Sequence, residues 1–273
     1  MGNVKLNFET FFRSVVMNRK VTNSMKLIVL VAILIGASTQ AQERTSHVEG
    51  WEFAVAPYLW MAGMDGDVTV KGTKAAVDAD FGDILDNLDT GAQGYFEARN
   101  GKWGVYGDFM YIKVANDAKV GAVSIDVESS TTMAEGGVLC RIFEGYGAQG
   151  SAVGTDIFIG GRYMNLDAEL DFAAAPDVSS DRNWWDPIIG IAYSHDFSED
   201  WLLKATADIG GFGIGSDLTW GLRLLGGYRL GKHANLWFGY RYLDIDYDEG
   251  NGANKFEYDV EMHGPILGAS FHF

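Results

Sequence analysis

From residue 51 onward, apolar and polar residues alternate with a period of two rather than 3.6, the pattern of strands with one apolar face. In Trp51–Met61 that face reads Trp51, Phe53, Val55, Pro57, Leu59, Met61. Asn100-Gly101 is a type I′ turn signal and joins residues 93–99 to 102–114 as a hairpin. Further alternating segments run over about 131–142, 155–166, 185–195, 201–210, 218–229, 234–245 and 257–273. Some links are short, such as Ser198-Glu199-Asp200 and Gly231-Lys232-His233; those at 63–90, 115–130, 168–184 and 246–256 are long. Alternating short and long links predict an antiparallel up-and-down sheet of about ten strands, with eight and twelve the neighbouring counts.

With the apolar face outward, Trp51, Trp103, Trp201, Tyr193, Tyr228 and Phe271 fall at one rim, and Tyr111, Tyr163, Trp185, Trp220 and Tyr242 at the other. Two aromatic belts separated by aliphatic residues match the two interfaces of a bilayer. A soluble lipocalin-like barrel would carry the reverse polarity, apolar inside and polar outside. The fold expected is therefore all-β, a transmembrane antiparallel up-and-down β-barrel. Its final strand places Leu267, Ala269, Phe271 and Phe273 on the outward face. Phe271 and Phe273 form the C-terminal signature through which such a strand would meet the barrel-assembly machinery.

Leu27–Ile35 is an unbroken apolar run, preceded by Lys26 and followed by Gly36-Ala37-Ser38-Thr39-Gln40-Ala41. A basic flank, a short apolar stretch and small residues describe a secretory signal peptide cut after about Ala41. Residues 1–24 read as an extended basic region, with Met17 and Met25 as alternative starts. The run is shorter than the roughly 20 residues that a spanning helix needs. Residues 1–41 are thus expected to be a leader and 42–273 an outer-membrane barrel of a Gram-negative cell. Five of the 21 Lys/Arg and one of the 37 Asp/Glu lie in the leader, so the remainder carries 16 bases against 36 acids, a net charge of −20. Such an acidic chain is unsuited to nucleic acid, which needs a basic surface. Cys140 is the single cysteine, which rules out an intramolecular disulfide and a cysteine-based metal site.

The inward positions read as acids Glu52, Glu97, Asp108, Glu135, Asp156, Asp186 and Asp208, and as bases Arg99, Arg141, Arg162, Lys204, Arg223, Arg229 and Arg241. Seven oppose seven, so the acidic surplus belongs to the loops. Buried charges need partners, and a balanced set predicts a lumen filled by salt bridges; a selectivity ring would favour one sign at a constriction. In Gly160/Arg162, Gly227/Arg229 and Gly239/Arg241, glycine is expected to leave room beside an inward arginine.

Asp80–Leu88 carries the one helical signal, with Phe81, Ile84, Leu85 and Leu88 on one face and Asp80 as N-cap. It falls in the first long link and is expected to lid the extracellular mouth. Asp244-Ile245-Asp246-Tyr247-Asp248 opens like an EF-hand loop but has Glu249 at the sixth position and Lys255 at the twelfth, so no defined metal site follows. Loose attraction of divalent cations by that segment and by Asp65, Asp67 and Asp78 suits a lipopolysaccharide surface. His47, His195, His233 and His272 map away from the outer half; His263 alone approaches it, and no Ser/His/acid spacing emerges.

Asp208–Trp220 places four glycines within six residues, enough for a tight connection or a bulge. This string resembles a family of uncharacterised proteobacterial-type outer-membrane barrel proteins, as do Ala56-Pro57-Tyr58-Leu59-Trp60, Phe96-Glu97-Ala98-Arg99-Asn100-Gly101, Trp185-Asp186-Pro187-Ile188-Ile189-Gly190 and Gly239-Tyr240-Arg241-Tyr242-Leu243-Asp244. The resemblance spans nearly all of 51–273 and extends broadly to the outer-membrane protein A and W barrels. It implies location and architecture and lends no catalytic or ligand residues. The function expected is a non-catalytic, structural or surface-interacting barrel without cofactor, set in lipid and lipopolysaccharide. A narrow passive channel is the alternative, and an enzyme at the outer mouth a more distant one.

Overall fold

The computed structural model describes residues 42–43, 50–120, 123–146, 151–172 and 178–273; the leader expected over 1–41 lies outside them. The strands are β1 (Gln42–Glu43), β2 (Glu52–Trp60), β3 (Gly63–Val70), β4 (Thr73–Ala79), β5 (Leu88–Asn100), β6 (Trp103–Val120), β7 (Val123–Tyr146), β8 (Ala152–Phe172), β9 (Val178–Asp196), β10 (Trp201–Gly211), β11 (Leu218–Arg229), β12 (Ala234–Glu249) and β13 (Phe256–His272). One helix, α1 (Phe81–Asp86), lies between β4 and β5.

Each of the long strands pairs antiparallel with its sequence neighbour from β5 to β13, and β13 pairs with β2, which pairs with β5, so the sheet closes on itself. β3 continues the course of β2: the lower part of β13 pairs with β2 and its upper part with β3. Counted around the wall, β2 with β3 as one stave gives ten staves. The hairpin β3–β4 stands on the outer side and pairs with the wall only through β13. β1 lies against the inner-side end of β7, opposite Gly145 and Tyr146, beyond the level where β6 begins.

Strands extend into three of the four long links. β6 and β7 cover 115–120 and 123–130, β8 and β9 cover 168–172 and 178–184, and β12 reaches Glu249, followed by a 3₁₀ turn at Gly252–Asn254 before β13 begins at Phe256. The fourth, 63–90, holds β3, β4 and α1. The cause is a change of phase. Low on β12 the outward residues are Leu236, Phe238 and Tyr240, and Arg241 points in; higher up Leu243, Ile245 and Tyr247 point in, Asp246 and Asp248 stand on the outer face, and Asp244 shares that face but is buried, accepting from the Tyr242 hydroxyl. β13 does the same, with Phe256, Tyr258, Val260 and Met262 inside and Glu257, Asp259 and Glu261 outside. A wall leaving lipid for water must exchange its faces, because the apolar side is now the one that needs covering.

The lower wall exposes Phe53, Val55, Leu59, Phe96, Val105, Phe109, Val138, Ile157, Ile159, Ile189, Leu224, Leu236, Phe238 and Leu267. In water this would be a large apolar patch; in a bilayer it is the solvated face. Trp51, Trp103, Trp201, Tyr228 and Phe271 stand exposed at the short-turn rim, whereas Tyr193 is buried against His195. At the opposite rim Trp185 is exposed, and Trp220 is buried by stacking on Tyr242 at 4.6 Å.

α1 begins with a capping box: the Asp80 carboxylate accepts from Asp83 N, and the Asp83 carboxylate from Asp80 N. It does not lid the mouth, for none of its residues is buried and Leu85 and Leu88 are exposed. The mouth is already filled from the strands themselves.

Candidate functional site in the barrel lumen

Cross-strand register stacks the lumen in layers. Asp108, Glu135, Arg162 and Asp186 stand opposite one another across β6, β7, β8 and β9, all pointing inward. Two residues higher on the same strands stand Met110, Met133, Met164 and Trp184. One row is wholly charged and the next wholly apolar, 6–7 Å further along the strand at about 3.3 Å per residue.

In the charged layer the Arg162 guanidinium donates to Glu135 at 2.9 Å, Asp208 at 2.8 Å and the Thr219 hydroxyl at 2.8 Å. Arg241 donates to Glu135 at 3.0 Å and to Asp108 at 3.4 Å, and lies 4.6 Å from the Trp60 ring centroid. Arg223 faces Arg241 across β11 and β12, and both reach the same Asp108, which also accepts from the Tyr58 hydroxyl. Two like charges side by side are tolerable because one carboxylate sits between them. Below lies a second group. Arg99 bonds Glu97 and Asp156, Arg141 bonds Asp156, and Lys204 approaches Glu97 at 3.4 Å. Glu97, Arg99, Asp108, Glu135, Arg141, Arg162, Lys204, Asp208, Arg223 and Arg241 thus meet in two layers. Arg229 stands apart at the short-turn end, on Asp196 and the carbonyls of Ser198 and Glu199. Phe271 and Phe273 face outward, and Phe273 exchanges backbone hydrogen bonds with Phe53.

The glycines beside the arginines serve the strands instead. A Cβ at Gly160 would lie 2.3 Å from the Gly136 carbonyl oxygen, and one at Gly239 1.9 Å from that of Leu224. The room they save belongs to neighbouring backbone and, at Gly227, to the Leu202 and Trp237 side chains, not to a guanidinium.

Above the charged layer Trp60, Met110, Met133, Met164, Trp184, Leu243, Ile245, Tyr258, Val260 and Met262 form one buried cluster, with Trp184 stacked on Tyr247 at 4.2 Å. This plug was not anticipated from the sequence. Its signal was the inward phase of β12 and β13 continuing, apolar, past Arg241 and Gly264. The glycine-rich string is the tight turn between β10 and β11, with Gly211, Phe212 and Gly213 at positive φ. Asp186 holds it: its carboxylate accepts from Ser216 N at 2.6 Å, Ser216 Oγ at 2.8 Å and Trp184 Nε1 at 3.1 Å. Asp186→Ala strands those buried donors, at about 1–3 kcal/mol for each unsatisfied group. A lowered urea midpoint and faster proteolysis at Phe212 and Ile214 are expected; an unchanged midpoint would show that the turn holds itself.

Beneath the charged layer a cavity of about 690 Å³ opens toward the short-turn end. Its mouth is edged by Gly101, Lys232 and His233, its roof is Tyr58, Asp108 and Arg241, and its side wall carries Tyr106 and Phe158. The water-accessible half of the lumen therefore ends at the charged layer.

On the outer surface the fold joins residues far apart in sequence. His263 Nε2 lies 3.2 Å from Asp65, and its Nδ1 2.8 Å from the Tyr240 hydroxyl. Such a pair is the element of a general base, yet here it is exposed and ties β3 to β12 and β13. Asp244, Asp246 and Asp248 lie on β12 and not in a loop, so they line up along one strand face and do not converge. Among the described residues no group of three or more His, Cys, Asp or Glu is arranged to hold a metal ion. Lys74, bonded to Asp67, and Lys255, bonded to Asp248, have their ammonium pKa raised by those carboxylates.

No family model and no curated protein matches the chain. Among solved structures it is similar to Ail, the attachment invasion locus protein of Yersinia pestis, at 16% identity and TM-score 0.38, over 83% of this chain and 100% of that one. It is also similar to the outer membrane protease OmpT of Escherichia coli, at 8% identity and TM-score 0.47, over 85% and 99%. The third is Neisserial surface protein A, at 14% identity and TM-score 0.30, over 82% and 100%. A closed antiparallel sheet with an apolar, aromatic-rimmed exterior and a charged interior has one solvent that suits it; the protein is a β-barrel of the bacterial outer membrane.

Proposed function

We propose that this is a sealed, non-catalytic barrel that acts at the cell surface through its outer β-extension. The observation that carries the reading is the apolar plug above the ion-paired layer. A route for ions would have to pass first a balanced, fully engaged set of charges and then a dry layer, and dewetted constrictions block conduction. What faces the outside is instead acidic. In register across β12, β13, β3 and β4 stand Asp244, Glu261, Asp65 and Asp78, and in the next row Asp246, Asp259 and Asp67. Lys74 already bonds Asp67 here and His263 meets Asp65; acids directly opposite one another repel, so the rows favour further cations, above all the divalent ions that bridge lipopolysaccharide phosphates. Magnesium in the millimolar range is expected to raise the melting temperature of the detergent-solubilised barrel, and Asp67→Asn with Asp246→Asn and Asp259→Asn to erase that rise. An equal rise in the triple variant would remove the extension from the account. A narrow channel is the second reading, favoured by the cavity that already covers the lower part of a path.

A further inference from the structure

We propose that the lower lumen cavity binds a small aromatic carboxylate, with its anion on Arg223 and its ring against Tyr95, Tyr106 and Phe158. A volume of about 690 Å³ lies within the range of small-molecule sites, roughly 300–1,000 Å³.

The roof arginines differ in how fully they are engaged, and that difference marks where a ligand anion would sit. Arg162 engages all three nitrogens, and Arg241 engages both terminal nitrogens. Arg223 bonds through Nη2 alone, to Asp108, so its Nε and Nη1 make no hydrogen bond among the described residues. Its side chain is 18% exposed, onto the cavity, against 1% for Arg162 and 4% for Arg241. Each two-donor edge of the guanidinium pairs Nη2 with one of these nitrogens, so a ligand carboxylate would take the second Nη2 hydrogen together with Nε or Nη1 on the edge that Asp108 leaves open. Thr206 stands directly opposite Arg223 on β10 and lines the cavity, as does Lys204 one inward position below.

The opposite wall sets the body of the ligand. Tyr95 and Tyr106 stack at 6.5 Å, and Tyr106 meets Phe158 edge-on at 5.4 Å. The Lys204 ammonium lies 5.3 Å from the Tyr95 ring centroid, so the cationic and aromatic walls meet there. The Tyr106 hydroxyl is buried without a hydrogen-bond partner. A buried donor left unmade is costly, and a ligand oxygen beside it would remove that cost.

The test is calorimetric titration of the membrane-extracted protein in detergent with 1-naphthoate, and with 1-naphthamide as the uncharged counterpart. Saturable one-to-one binding of naphthoate is expected, at least tenfold weaker in Arg223→Gln and several-fold weaker in Tyr106→Phe, with naphthamide bound at least tenfold more weakly. Tyr106→Phe removes an unpartnered hydroxyl and should leave the heat-modifiable gel shift intact, so its loss of affinity reports the site and not the fold. No saturable binding, equal binding of naphthamide, or undiminished binding in Arg223→Gln would overturn the proposal.

Discussion

Arg162→Leu is expected to destabilise the barrel by about 3–5 kcal/mol, the cost of breaking a buried ion pair from one side. Arg162, like Arg99 in the layer below, has all three guanidinium nitrogens engaged, and one of its partners depends on it heavily. Glu135 retains Arg241, but Asp208 makes no other hydrogen bond among the described residues and would stay largely buried beside Gly221. Arg223→Ala should cost far less, about 1 kcal/mol, because Asp108 keeps both Arg241 and the Tyr58 hydroxyl. Urea titration followed by heat-modifiable mobility measures both. Equal losses would mean that the charges stabilise as a diffuse set and not through the bonds described.

Val260→Asp should open the lumen. Val260 is fully buried in the plug, opposite Ile245 on one side and Gly66 on the other. An ionised carboxylate cannot stay dry in such a place, and burying it unpaired costs several kcal/mol. The outer extension would have to admit water or come apart locally, while the lower wall, held by lipid and by its own hydrogen-bond ladders, stays closed. Discrete conductance steps from a barrel with normal gel mobility are the result expected. A silent variant with unchanged stability would show that the plug is not the seal.

How far the sequence reached is clear from particular strands. The lower part of β12 was legible because Leu236, Phe238 and Tyr240 alternate with Asn235, Trp237 and Arg241, and lipid demands that pattern. The same parity rule told inward from outward positions along the lower strands, since a period of two leaves no freedom once one face is assigned. It failed where the solvent changes. Past Arg241 the apolar residues move to the other face, and a search for outward apolar positions reads such a strand as a loop. The plug was lost for that reason. The ion pairs were illegible for another: Arg162 reaches Asp208 and Thr219 across the lumen, and no spacing in the chain encodes a cross-lumen distance. His263 and Asp65 meet 198 residues apart through β13 and β3, the latter a strand hidden in the first long link.

The most direct test of the sealed lumen is single-channel recording of the unaltered protein in a planar bilayer, with insertion verified by heat-modifiable mobility. A silent bilayer across the accessible voltage range is the result expected from an apolar plug above a saturated ion-pair layer. Reproducible conductance steps would mean that water already crosses the layer of Met110, Met133, Met164 and Trp184, and would contradict the account at its centre.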